Sequence, residues 1–115
     1  MSVTIYHNPR CSKSRQTLTL LKERGADPEV VEYLRTPPSA DELKAILAKL
    51  GLGPRDLMRT NEAPYKDLSL DQEGLSDDAL IKAMVGNPIL IERPIVVKGG
   101  RAAIGRPPDS VIKIL

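Results

Sequence analysis

The sequence predicts an α/β layered domain with a mixed sheet, and three observations point to it. Two β-branched runs flank a helical repeat within the first 34 residues, and two capped amphipathic segments occupy the middle. Near the end the apolar period switches from helical to alternating, around Gly99-Gly100. A chain of 115 residues suits a single domain over 1–115. Its core has no Phe or Trp, so Leu, Ile, Val, Met and Ala must fill it.

Each element follows from local chemistry. "VTIY" is short, β-branched and bounded by His-Asn-Pro, which predicts a strand over Val3–Tyr6 running into a turn. Leu18, Leu20 and Leu21 then recur at helical spacing, and Gly25 with Asp27-Pro28 stops that helix. "EVVEYL", 29–34, reads as a second strand, which completes a parallel βαβ unit. In "PPSADELKAILAKLG", Ser39 and Glu42 form a capping pattern, and Leu43, Ile46, Leu47 and Leu50 share a face before Gly51. Residues 54–75 mix charge and proline, which suits short helical turns and loops. "SDDALIKAMVGNP" is a further helix, capped at Ser76 and ending at Gly86. "RPIVVKGGRAAIGRPP" makes a two-strand hairpin, and a last short helix starts at Ser110. The expected sheet is mostly parallel with one antiparallel edge.

Composition removes several function classes. A net charge of +2 with 28% charged residues is a mixed surface, unlike the one-sign field of a nucleic-acid binder. No apolar run is long enough for a membrane helix and no signal-peptide pattern opens the chain, so a cytoplasmic protein with no membrane partner is expected. One cysteine closes no internal disulfide, and one Cys with one His completes no zinc site, so no metal is expected.

The chemistry concentrates in "YHNPRCSKSR", which holds the only cysteine and the only histidine. A thiol with a pKa of about 8.5 is only a few per cent thiolate at neutral pH, so a reactive Cys11 needs an environment that favours the anion. A helix starting at or just after Cys11 supplies unpaired N–H groups and the positive end of its dipole. Arg10, Lys13 and Arg15 add charge, Ser12 flanks the sulfur, and the Ser14 hydroxyl can turn toward it. The same cradle would bind an oxyanion. An inert, packed cysteine is the alternative, since free Cys is often buried. His7 either assists ionisation of Cys11 or simply fixes the turn.

At this point the residues resemble a family. "IYHNPRCSKSRQTLTLL" is similar to the opening of the small arsenate reductases that use glutathione and glutaredoxin, with C-x-x-S-R after a strand and an H-N-P turn. "YLRTPPSADEL", "LMRTNE", "YKDLSL", "NPILIERPIVV" and "GRPP" follow in that family's order, as in its shorter ArsC-like members. The resemblance implies a thioredoxin-like fold with a helical insertion at about 38–87. It implies that Cys11 is the nucleophile, with His7 and Ser14 beside it. Arg59, Arg93 and Arg106 would bind the oxyanion and the thiolated intermediate, and Pro94 would be cis. Arg93 and Arg106 each precede a proline, whose fixed backbone aims the side chain, and arginine's planar fork suits an oxyanion.

The implied reaction reduces arsenate, or a similar oxyanion, to arsenite. Glutathione would be a co-substrate and glutaredoxin a partner, with no bound cofactor expected. Two departures matter: Ser12-Lys13 alters the cradle wall, and the extension that ends longer members is missing. The competing expectations are a thiol reductase acting on glutathionylated partners and an Spx-like module binding RNA polymerase. Simple anion binding without turnover is a third.

Overall fold

A computed structural model describes residues 2–115 of the chain. The chain divides into two compact units, one formed by residues up to Thr36 together with Arg93–Leu115, the other by Pro37–Glu92.

The first unit is built on a four-stranded sheet in the order β2-β1-β3-β4, made of β1 (Val3–His7), β2 (Glu29–Glu32), β3 (Ile95–Lys98) and β4 (Arg101–Ile104). β1 is internal to the sheet, paired on both edges, and its alternate residues Val3, Ile5 and His7 are buried on one face. It pairs with β2 in parallel, Ile5 opposite Val30, and with β3 antiparallel, Ile5 opposite Val96. β3 and β4 form the expected hairpin, Lys98 opposite Arg101, with Gly99 at φ 60° where an L side chain is disfavoured. The sheet is mixed, but not mostly parallel as expected: one pairing is parallel and two are antiparallel. The hairpin is antiparallel by construction, and its first strand returns beside β1 in the opposite sense, so only the βαβ crossover contributes a parallel pair.

Helix α1 (Ser12–Glu23) connects β1 to β2 and ends at Gly25, φ 81°. Leu21 meets Val3, Ile5, Val96 and Ala103 in one apolar cluster, closed by Val111 and Ile114 from a terminal 3₁₀ helix, Pro108–Ile114. That helix begins at Pro108 rather than Ser110, as proline's fixed φ allows at a first helical position. β2 is shorter than 29–34 because the N–H groups of Arg35 and Thr36 both donate to the Glu32 carbonyl, turning the chain out of the sheet.

The second unit is helical. α2 (Ala40–Leu50) has the predicted capping box: Ser39 Oγ accepts from the Glu42 N–H at 3.1 Å, and Glu42 Oε1 accepts from the Ser39 N–H at 3.2 Å. It buries Leu43, Ile46 and Leu47 and ends at Gly51, φ 71°. After the short α3 (Pro54–Leu57) and α4 (Ala63–Asp67) comes α5 (Asp77–Gly86), capped by Ser76 and burying Leu80, Ile81 and Met84. α5 packs on α2 and α3. Met58 and Ile91 form an isolated antiparallel bridge, flanked by hydrogen bonds from Arg59 N–H to the Leu90 carbonyl (2.7 Å) and from Glu92 N–H to the Leu57 carbonyl (2.8 Å). No helix among the described residues is long and apolar enough to cross a membrane.

Candidate active site

The site grows out of the turn between β1 and α1. The Cys11 N–H donates to the Asn8 carbonyl at 3.0 Å, and the Asn8 side-chain oxygen accepts from the Arg10 N–H at 3.0 Å. These bonds close the turn, and Asn8 is buried within it. Arg15 Nη1 donates to the Pro9 carbonyl at 2.9 Å, so this cation braces the loop through its backbone. Cys11 occupies the N-cap position of α1 in an extended conformation (φ −91°, ψ 124°), with its carbonyl accepting the first helical bond from Arg15 N–H. Its side chain is therefore presented at the start of the helix, where orphan N–H groups favour an anion.

Two arginines complete the sulfur's surroundings. Arg106 Nη2 lies 3.3 Å from Cys11 Sγ, while Arg106 Nε donates to the Arg93 carbonyl at 2.7 Å. The Arg93 side chain also hydrogen-bonds the sulfur, and its Nε and Nη1 atoms are buried. Both arginines precede cis peptide bonds, Arg93-Pro94 and Arg106-Pro107; the resemblance implied the first of these and the sequence alone disclosed neither. Burial pushes the Cys11 thiol up, but four influences outweigh it and hold the thiol below its ordinary value. In falling order they are the Ser14 backbone N–H, the Arg93 side chain, the Arg106 charge and the Lys13 backbone N–H. Cys11 itself is half-buried, so the cradle does not seal it from solvent.

His7 and Ser14 form a second layer. The Ser14 hydroxyl, wholly buried, is 2.6 Å from His7 Nδ1 and accepts from the Asn8 N–H at 3.0 Å. The expectation that this hydroxyl turns to the sulfur is thus corrected: Ser14 serves the thiol through its backbone N–H, because His7 and Asn8 claim its oxygen. Burial lowers the His7 pKa, with Glu32 opposing and the Arg15 and Lys22 charges adding to the lowering. A histidine whose folded pKa lies below its unfolded value of about 6.5 binds fewer protons when folded, so stability falls as pH drops from about 6.5 through the folded value. His7→Asn is expected to flatten that acid limb, measured as melting temperature between pH 7 and 5; an unchanged slope would show that His7 does not carry it.

The remaining expected residues divide. Arg10, Ser12 and Lys13 have exposed side chains around the turn. Arg59 lies in the second unit, where Glu92 Oε1 is 2.7 Å from its Nη1 and Glu62 Oε2 is 3.4 Å from its Nε. Burial lowers its pKa, yet these two carboxylates together raise it further, fixing it as a charged member of an ion-pair group. Reading the residues one by one missed Glu62 and Glu92, since nothing in the local pattern links position 59 to position 92. It also passed over Thr17 and Gly105, for which the only signal was a glycine directly before Arg-Pro-Pro.

Comparison with known proteins agrees with this geometry. The chain is 59% identical over 114 residues to the Escherichia coli (strain K12) protein YfgD, covering 98% of this chain and 96% of that protein. It is 52% identical over 114 residues to an arsenate reductase of Neisseria meningitidis serogroup B, covering 98% and 97% respectively. Among solved structures, the arsenate reductase from Vibrio cholerae superposes with a TM-score of 0.97 at 56% identity, covering all of this chain and 98% of that one. The α/β architecture with its mixed sheet is accordingly the thioredoxin-like fold of these proteins. The ArsC family model matches residues 6–114, and the chain belongs to the ArsC family.

Proposed function

We propose that the protein is an arsenate reductase in which the Cys11 thiolate is the nucleophile and glutathione and glutaredoxin supply the external thiols. The observation that carries this reading is the sulfur at the start of α1 with Arg106 Nη2 at 3.3 Å and Arg93 hydrogen-bonded to it. Lowering a thiol's pKa raises its thiolate fraction, and donors beside the sulfur stabilise charge on an oxyanion bonded to it.

The steps balance as follows. The thiolate of Cys11 attacks arsenic, forming an S–As bond as one arsenate oxygen leaves with protons as water, and arsenic stays pentavalent. A glutathione thiolate then attacks Sγ, and the S–As bond breaks with its electron pair remaining on arsenic. Arsenite departs and Cys11 is left in a mixed disulfide with glutathione. A glutaredoxin thiol attacks the glutathione sulfur and returns Cys11 to its thiolate. Arg93 and Arg106 hold the anionic arsenic ligands throughout, as bidentate donors suit tetrahedral oxyanions.

Room for the external thiol supports the scheme. An open groove of about 590 Å³ runs beside α1 and is lined by Ser12, Arg15, Thr19, Glu23, Pro107 and Asp109 among others. It begins at the residue next to Cys11 and carries charges of both signs, which matches a peptide bearing carboxylates and an ammonium.

The test measures arsenite released from arsenate with glutathione and glutaredoxin both present, against reactions lacking each. Turnover is expected only in the complete mixture. Equal turnover with an unrelated thiol donor would exclude the proposed coupling, and no turnover in any mixture would exclude arsenate as the substrate.

A further inference from the structure

We propose that Gly105, packed against Thr17 and Pro94, is a positioning residue that sets the two arginine-bearing turns against the Cys11 sulfur. Gly105 is buried, and its N–H donates to the Pro94 carbonyl at 2.9 Å. A Cβ at this position would lie 2.5 Å from Thr17 Oγ1, 2.8 Å from Pro94 Cγ and 3.1 Å from Thr17 Cγ2. Gly25, Gly51 and Gly99 are glycines for their positive φ, but Gly105 is not among them. Space, and not backbone conformation, is what demands glycine here.

Neither neighbour yields readily. Thr17 is wholly buried, and its hydroxyl donates to the Lys13 carbonyl at 2.8 Å. Pro94 is a ring with a fixed φ. The three residues also tie together the three segments that form the cradle. Thr17 lies on α1, whose N-cap is Cys11; Pro94 directly follows Arg93; and Gly105 directly precedes Arg106. Any side chain at 105 must therefore push at least one arginine-bearing turn away from the helix that presents the sulfur. Close-packed interiors transmit such a push, and Arg106 Nη2 at 3.3 Å has little distance to lose before its bond to sulfur weakens.

The residue does not touch the reacting atoms, so its effect must appear in the thiol. This inference shares with the proposed function the view of Cys11 as an activated nucleophile, but its test omits arsenate. With a single cysteine in the chain, alkylation reports Cys11 alone. In Gly105→Ala the pH midpoint of iodoacetamide alkylation is expected to rise, and the neutral-pH rate to fall with the thiolate fraction, by about tenfold for each unit that the midpoint lies above the assay pH. Thr17→Ala/Gly105→Ala removes the Thr17 clashes, leaves the Pro94 contact, and is expected to recover part of the midpoint. A Gly105→Ala protein that melts earlier yet keeps the native midpoint and rate would overturn the proposal, because the packing would then be structural only. If Gly105→Ala does not fold, the double variant carries the same comparison; if neither folds, the packing serves stability alone and the proposal fails. A shifted midpoint in a protein without arsenate turnover would keep this inference and remove the proposed function.

Discussion

Cys11→Ser is expected to reduce arsenite release to the uncatalysed background, a loss of about 10³-fold or more, as for other enzymes that lose their nucleophile. Sulfur acts twice in the reaction. First it must be an anion at neutral pH, and the donors around Cys11 hold its thiol below the ordinary value; a serine hydroxyl in the same cradle stays protonated. Second it must accept attack from an external thiolate while its bond to arsenic breaks, leaving an electron pair behind. Oxygen in that position offers ester hydrolysis instead, which returns arsenate unreduced. The substitution is nearly isosteric at a half-buried site, so the fold should persist, with the melting temperature lowered only by the stability that the thiolate contributes. Arsenite quantified alongside a thermal melt separates lost chemistry from lost fold. Undiminished turnover in the serine variant would remove Cys11 from the mechanism.

How much of this was legible in the sequence depends on the range over which each feature is determined. The capping box at Ser39, the Ser76 cap and the turn at Gly99 are decided by residues within four positions, and all were readable. The Cys11 N-cap followed from a strand, an Asn-Pro turn and a helical repeat in succession. The parallel β1–β2 pair and the β3–β4 hairpin were readable, but the pairing of β3 with β1 was not, because β3 could lie beside β1 in either sense with the same apolar pattern. The direction of the Ser14 hydroxyl was also hidden: sulfur, the His7 ring and the Asn8 N–H all compete for it, and only the folded turn shows that the last two win. Arg59 shows the same limit across distance. Its motif marked it as an oxyanion ligand by resemblance, whereas its visible partners are Glu62 and Glu92, the second lying 33 positions away. Short-range chemistry is written locally, and the assignment of shared donors and acceptors belongs to the tertiary structure.

Arg106 is where both ranges meet, and its substitution gives the second large effect. One guanidinium performs two tasks at once: Nε holds the Arg93 carbonyl at 2.7 Å and Nη2 reaches the sulfur at 3.3 Å. Arg106→Ala removes both, and turnover is expected to fall about 10²- to 10³-fold, the cost of deleting one preorganised donor at a developing anion. Arg106→Lys should recover little, since an ammonium is a point donor on a flexible stem and lacks the fork that spans the two acceptors. The thiol supplies the diagnostic. A cysteine whose folded pKa is depressed contributes stability that is complete above the unfolded pKa and lost as pH falls through the folded value. Without the Arg106 charge that depression shrinks, so the acid limb of the alkylation profile moves to higher pH. The stability gap between wild type and variant should widen as pH climbs from the folded toward the unfolded thiol value. Alkylation rates and thermal melts over that interval check both signs, and a variant with reduced turnover but an unmoved thiol profile would confine Arg106 to holding the oxyanion.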